Sequence, residues 1–394
     1  MNSRTAQTAT GPVRGYLEGY YGKLLSWDER AEILKCLSMQ GLGTYCYAPK
    51  EDVLHRFRWR ESYSPHWRAS FAQFCQSARD LNVSVIAGIA PGLDFGFAQN
   101  EHDTDFDRLL NKAAAFAEDG ATHILVLWDD IEASCYDDSH EVSEGTAHAR
   151  VVNRLSEALT LPVLAVPRVY AGEIDEGSNY LPDFFSELHE KHAVLLCGNA
   201  IVASSVSQTD LAGLRDSSEH QLNVNPKQHR IILWDNFYAN DYCPRRLFLG
   251  PWFGREKIND YLLNATGLPY TDALLLDIAK STHMSGDQQN TWSQALARHG
   301  VPNAFLSIAP YFSSPFFGDK HISGDDSDIS CKMPDTEVDE AIETCLWQWK
   351  SPLAREWFPF IMSLKHDLAI MRNTLPRNRI LKTQSAALAK KLLN

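Results

Sequence analysis

Two hydrophobic patterns alternate along the first two-thirds of the chain. Short apolar runs begin near Val13, Thr44, Ser84, His123, Val163, Ala193, Arg230 and Asn259. Between most of them, apolar positions recur every three to four residues, as on one face of a helix. Ser26-Trp27-Asp28-Glu29 has the form of a capping box, with Ile33, Leu34 and Leu37 following on one face. Ser64-Pro65 places an N-cap and a first-turn proline ahead of Phe71, Phe74, Ala78 and Leu81. Phe106, Leu109, Leu110, Ala113 and Ala117 form a third helical face, and Val151, Val152, Leu155 and Leu159 a fourth.

Strands alternating with helices predict a parallel sheet with right-handed crossovers. The strand starts advance by about 35 residues per unit, close to the ~31 of a (β/α)8 barrel. The rival is an open doubly wound sheet, which usually carries a G-x-G-x-x-G turn after its first strand. Here that strand runs into Gly15-Tyr16-Leu17-Glu18-Gly19-Tyr20-Tyr21-Gly22, which lacks the spacing and would crowd a pyrophosphate with aromatic rings. We therefore expect the α/β class: a (β/α)8 TIM barrel over residues 11–285, with a flexible tail at 1–10 and a C-terminal helical extension at 286–394. Within the extension, a loop-rich stretch with Pro310, Pro315 and Gly318 precedes helical patterns at 335–349 and 356–370. The end, with Lys390 and Lys391, is expected to fray.

Composition narrows the partners. The net charge is −13 over 394 residues, which disfavours non-specific binding to nucleic acid or an anionic membrane. No apolar run reaches the ~18 residues of a membrane helix, and the first ten residues lack the apolar core of a signal peptide. The eight cysteines include no C-x-x-C pair, so reduced thiols and a cytoplasmic location are expected. The 10 tryptophans suit sugar stacking or a large core equally well.

In such a barrel the active site lies at the C-terminal ends of the strands. The fourth strand pattern, His123 to Trp128, stops at two adjacent carboxylates, Asp129 and Asp130. Neighbours on a regular strand point to opposite sides, so both reach one pocket only if the chain has begun to turn. Two close carboxylates cannot ionise independently, which suits acid/base chemistry on a glycoside. Capping of a following helix or binding of a divalent metal explains the pair as well. Other strand ends contribute Gly19, Lys50, Tyr170, Trp234, Asn236, Asp241, Tyr242 and Asn264. Carboxylates, amides, a lysine and aromatics are a set that could hold a sugar. Singly, each has a plainer explanation: an ion pair for Lys50 with Glu51 or Asp52, a core ring for Tyr170, a turn for Asn264.

Taken together, these stretches resemble glycoside hydrolase family 84, the β-N-acetylglucosaminidases that include protein O-GlcNAcases. The matching text is Glu18-Gly19-Tyr20-Tyr21-Gly22, Tyr47-Ala48-Pro49-Lys50, Ala90-Pro91-Gly92-Leu93-Asp94, Trp128-Asp129-Asp130-Ile131, Trp234-Asp235-Asn236 and Ala239-Asn240-Asp241-Tyr242, in family order over residues 13–283. The resemblance implies a retaining exo-enzyme in which the substrate's own 2-acetamido oxygen is the nucleophile and an oxazoline forms. Such enzymes lie outside the scheme of two protein carboxylates. Asp129 would orient and polarise the acetamido N–H, and Asp130 would serve as general acid and then base. Tyr170 would donate to the acetamido group and Trp234 would wall its pocket. Asn236 and Asn264 would bind the pyranose, Asp241 its 4- and 6-hydroxyls, and Lys50 and the Gly19 carbonyl the 3-hydroxyl side. Tyr242 would lie near the ring edge or support the site, and Asp94 would support a loop. One departure stands after the sixth strand: where the family often has W-T-G, this chain has Leu196-Cys197-Gly198.

The expected function is removal of terminal β-linked GlcNAc, from Ser/Thr of glycoproteins or from another glycoside, without cofactor or metal. Oligomeric state is left open. Two alternatives are a hyaluronidase-like or GlcNAc-oligosaccharide hydrolase and a non-catalytic carbohydrate-binding barrel. A polyanionic substrate would need a basic groove, for which Arg56, Arg58 and Arg60 are the nearby cluster unless they pair with Glu61 and Asp52. A metal-dependent hydrolase is the third: the 14 histidines include no H-E-x-x-H, and Asp325-Asp326-Ser327-Asp328 lacks EF-hand spacing.

Overall fold

The computed structural model describes residues 11–97, 104–136, 142–175, 177–216, 228–243, 246–284, 287–317, 320–321, 335–372 and 374. The expected tail at 1–10, the acidic loop at 325–328, Gly318 and the two terminal lysines lie outside them. By compactness the chain divides into two units. One comprises residues 1–236 with 257–264, the other 237–256 with 265–394.

The first unit is built on a closed barrel of eight parallel strands in sequence order. They are β1 Arg14–Glu18, β2 Thr44–Tyr47, β3 Ser84–Ile89, β4 His123–Leu127, β5 Val163–Val166, β6 Val194–Leu196, β7 Ile231–Asp235 and β8 Tyr261–Asn264. β8 closes the ring on β1, with Gly15 opposite Leu262 and Leu17 opposite Asn264. The expected strand starts agree within two residues, and the doubly wound alternative is excluded by that closure. Alternate residues fill the interior, among them Leu17, Cys46, Ile86, Leu125, Leu164 and Ile232. Helices cover the outer face, so most strand residues on both faces are buried, as in other parallel sheets.

Local chemistry sets the helix ends. α1, Trp27–Gln40, opens on the capping box: Glu29 N donates to Ser26 Oγ at 3.3 Å, and Ser26 N to Glu29 Oε2 at 2.8 Å. α2, Pro65–Asp80, opens on Ser64, whose hydroxyl accepts from Trp67 N. α3 is Thr104–Glu118, α4 Glu144–Ala158, α5 Tyr180–Glu187 and α6 Gln208–Asp216. Gly145 sits where α4 meets α5; a Cβ there would lie 2.3 Å from the Tyr180 carbonyl oxygen.

The described part of the second unit is mostly helical, with helices Pro269–Met284, Gln288–Arg298, Asp335–Glu343 and Pro352–Met371 and a small antiparallel pair, Phe316–Phe317 with Lys320–His321. The pattern expected at 335–349 is a helix that widens into a π turn at Thr344–Gln348. Asp277 ties the first two helices together through Arg298 and His299. Glu356 accepts from the backbone N–H groups of Tyr270 and Thr271, satisfying donors in the first turn of Pro269–Met284.

Candidate active site

The carboxylates after β4 share one pocket. Asp130 adopts a left-handed φ of 54°, a conformation that Asp tolerates better than most residues with a Cβ. The strand alternation is broken there, and both side chains meet the same ammonium. Lys50 Nζ, on the loop after β2, is hydrogen-bonded to Asp129 Oδ2 and lies 3.2 Å from Asp130 Oδ2. The hydroxyls of Tyr170 and Tyr21 donate to Asp130 Oδ1 at 2.7 Å and Oδ2 at 2.8 Å. Asp129 is buried, and among the described residues its Oδ1 has no hydrogen-bond partner. Unpaired buried acceptors are rare, so this atom is suited to accept from a bound ligand.

The two acids titrate differently. Burial raises the Asp129 carboxyl above the usual range, with Asp130's charge adding to it, and Lys50 only partly offsets this. Burial also acts to raise Asp130, but Lys50's charge and the hydroxyls of Tyr170 and Tyr21 outweigh it and hold that carboxyl down at about 2. The Lys50 ammonium is itself raised: burial lowers it, but Asp129 and Asp130 prevail. Burial pushes Tyr21 up to about 12 and raises Tyr170 further, so both remain donors.

A second polar chain links β7, β8 and β1. Gly19 N donates to Asn264 Oδ1 at 3.2 Å, and Asn264 Nδ2 to Asn236 Oδ1 at 2.8 Å. Trp234 Nε1 donates to the same Asn236 oxygen at 2.9 Å. Asn236 Nδ2 reaches the Ile201 carbonyl and the Cys197 sulfur. Both ends of the Asn236 amide are thus engaged by protein groups. Trp234 closes directly over Gly19, where a Cβ would lie 2.6 Å from Cζ2. At the departure from the family pattern, Cys197 is a buried member of the barrel core; burial pushes its thiol well up, leaving it protonated.

Sequence reasoning thus named Asp129, Asp130, Lys50, Tyr170, Gly19, Trp234, Asn236 and Asn264, all in the first unit. Asp241 and Tyr242 belong to the second; there Asp241 Oδ1 accepts from Tyr242 N, and Tyr242 is 44% exposed. Tyr21 and Arg56 were missed as participants in the site. The rule that singled out Gly19 at the end of β1 applies equally to Tyr21 two residues on. Arg56 stood only as a member of a basic cluster, and the structure distributes that cluster. Arg58 pairs with Glu61, Arg60 with Asp94 and Asp105, and Arg56 is buried against the backbone of Asp129 and Asp130. Asp94, as expected, supports its loop, also accepting from Trp59 Nε1. Helix capping does not explain the acid pair: the short helix that follows, Ala133–Cys135, has Glu132 at its cap and no side-chain cap bond. Among the described residues no cluster of three or more His, Cys, Asp or Glu is arranged to hold a metal, and no helix is long and apolar enough to cross a membrane.

The β-N-acetylglucosaminidase family model matches residues 14–295. The protein O-GlcNAcases of Rattus norvegicus and Mus musculus are each 31% identical over 250 residues, covering 61% of this chain and 26% of theirs. The chain therefore spans about a quarter of the length of these relatives. A mutant of the Thermobaculum terrenum O-GlcNAc hydrolase aligns over 97% of this chain and 87% of its own, with a TM-score of 0.73 at 20% identity. CpGH84B aligns over 96% and 65%, with a TM-score of 0.66 at 22% identity. At those identities the structural likeness carries the fold alone.

Proposed function

Because this chain belongs to the β-N-acetylglucosaminidase family, we propose that it is a retaining exo-β-N-acetylglucosaminidase acting by substrate assistance on terminal β-linked GlcNAc, with O-GlcNAc on Ser/Thr of proteins as the preferred class. The observation that carries the proposal is Asp129 Oδ1, a buried acceptor without a partner among the described residues, beside an acid that three donors surround.

The acetamido N–H donates to Asp129, and the acetamido oxygen attacks the anomeric carbon. The bond to the leaving oxygen breaks as Asp130 passes it a proton. In the second half Asp130 takes a proton from water, which attacks the same carbon and opens the oxazoline. The nucleophile is part of the substrate, so the pocket need only fold it into attack geometry.

In the free protein Lys50 and the hydroxyls of Tyr170 and Tyr21 favour the ionised form of Asp130. Substrate alters these surroundings. An N–H aimed at Asp129 favours its ionised form, and a Tyr170 hydroxyl that turns to the acetamide no longer stabilises the Asp130 anion. Seating the acetamide thus raises the proton affinity that Asp130 needs to protonate the leaving oxygen.

Fluorination of the acetamide tests the nucleophile: the rate should fall with each fluorine added to the acetyl methyl, whereas an indifferent rate would exclude substrate assistance. Comparison of an O-GlcNAc glycopeptide with a GlcNAc oligosaccharide tests the substrate class. The hyaluronidase-like alternative loses its support, because the arginine cluster it relied on is paired or buried. Sugar binding without turnover of an aryl β-GlcNAc glycoside would instead favour the binding barrel.

A further inference from the structure

Adjacent carboxylates at a strand end diverge unless something holds the turn between them. We propose that Arg56 is the positioning residue that does so, its guanidinium fixing the left-handed turn at Asp130 by donating to two successive carbonyls. The proposal rests on the reading of Asp129 and Asp130 as the catalytic pair.

Arg56 Nη1 donates to the Asp129 carbonyl at 3.2 Å, and Nη2 to the Asp130 carbonyl. Arg56 is 5% exposed, yet among the described residues no carboxylate pairs with it. A buried cation without a counter-ion is costly, and its neighbours Arg58 and Arg60 both have acid partners. What compensates Arg56 is a pair of carbonyl dipoles with two carboxylates just beyond them. A planar fork matches two carbonyls at once, whereas a lysine ammonium is a single point charge.

Lys50 and Arg56 lie on the same loop, so one segment grips the acid pair at both side chains and backbone. That loop is itself pinned. Asp52 accepts from Tyr47 and Tyr63 hydroxyls at 2.6 and 2.8 Å and from Leu54 N at 2.9 Å, and Ala90 N donates to the His55 carbonyl. Burial raises Asp129 and Tyr21, and Arg56's charge is a small contribution against that rise. Loss of the fork should let Asp130 swing away from Lys50 and Tyr170, changing where it titrates as well as where it points.

The test uses the full chain and an aryl and an alkyl β-GlcNAc glycoside. Arg56→Ala and the milder Arg56→Lys should each lower kcat about a hundredfold, the cost of a ~1 Å misplacement, with little change in KM. The pH profile of kcat should shift, and added guanidinium should restore part of the activity of Arg56→Ala. It should not restore Asp130→Asn. The proposal is overturned if Arg56→Lys keeps the wild-type kcat and pH profile. It is also overturned if activity falls only in proportion to the folded fraction, with an unmoved profile and no rescue. Full activity of Asp130→Asn on the alkyl glycoside would instead remove the catalytic-pair reading itself.

Discussion

The Tyr170 hydroxyl, on the loop after β5, donates to Asp130 Oδ1, on the turn after β4, at 2.7 Å. This bond stabilises the carboxylate and so opposes the protonated form that a general acid needs. Tyr170→Phe should raise the Asp130 carboxyl from about 2 towards the ordinary range in the free protein, visible in a ¹³C carboxyl titration. It should also lower kcat by ~10²–10³, the usual effect of losing one donor to the reacting group. An unchanged kcat would confine Tyr170 to its role beside Asp130.

Asp130→Asn should discriminate between leaving groups. Acid assistance contributes ~10²–10⁴ where the leaving oxygen is basic, so an alkyl or seryl glycoside should lose most activity and a nitrophenyl glycoside least. The slope of log kcat/KM against leaving-group pKa measures this, and equal losses across the series would reassign the acid.

The same carboxyl makes stability depend on pH with a definite sign. Asp130 is lowered in the folded protein, from 3.8 to about 2, so its ionised form stabilises the fold above the unfolded value. That contribution should disappear as pH falls from about 4 to about 2. Asp129 is raised and acts in the opposite sense. Urea unfolding should therefore show the stability gap between wild type and Asp130→Asn narrowing across that window; a constant gap would mean Asp130 is not held low.

Gly19→Ala places a methyl carbon against the Trp234 ring, 2.6 Å from Cζ2 and 3.0 Å from Cη2. The indole must move, straining its bond to Asn236. Overpacking of this kind costs ~1–3 kcal/mol, which should appear as weaker GlcNAc binding by calorimetry together with a lower Tm. Unaltered sugar affinity would show that the indole position is unimportant for binding.

Glu18 precedes Gly19 in the same motif, but its carboxylate faces away from chemistry. It accepts from Arg30 at 2.9 and 2.8 Å and from the Tyr45 hydroxyl at 2.7 Å, and is fully buried. Glu18→Gln leaves the Arg30 charge without its partner, a change that costs ~3–5 kcal/mol. Urea unfolding should register that loss, with kcat per folded molecule little changed.

The barrel was legible in the chain because its signals are local. Short continuous apolar runs, helical faces of period 3.6, the capping box at Ser26 and the proline after Ser64 each depend on residues a few places apart. The site was legible in part by the same logic, since Asp129, Asp130, Lys50 and Tyr170 all follow strand ends. Tertiary structure alone decided what joins them. Arg56 and Asp130 are 74 residues apart, Tyr21 and Asp130 109, and Gly19 and Asn264 245, distances over which no periodicity carries information. A basic cluster therefore looked like a surface until closure of the barrel buried one of its arginines behind the acids. Neighbouring carboxylates likewise looked divergent until a single left-handed φ at Asp130 turned them together. The residue types were written in the chain; which charge compensates which was settled by folding, because burial makes an unpaired charge costly and so selects its partner.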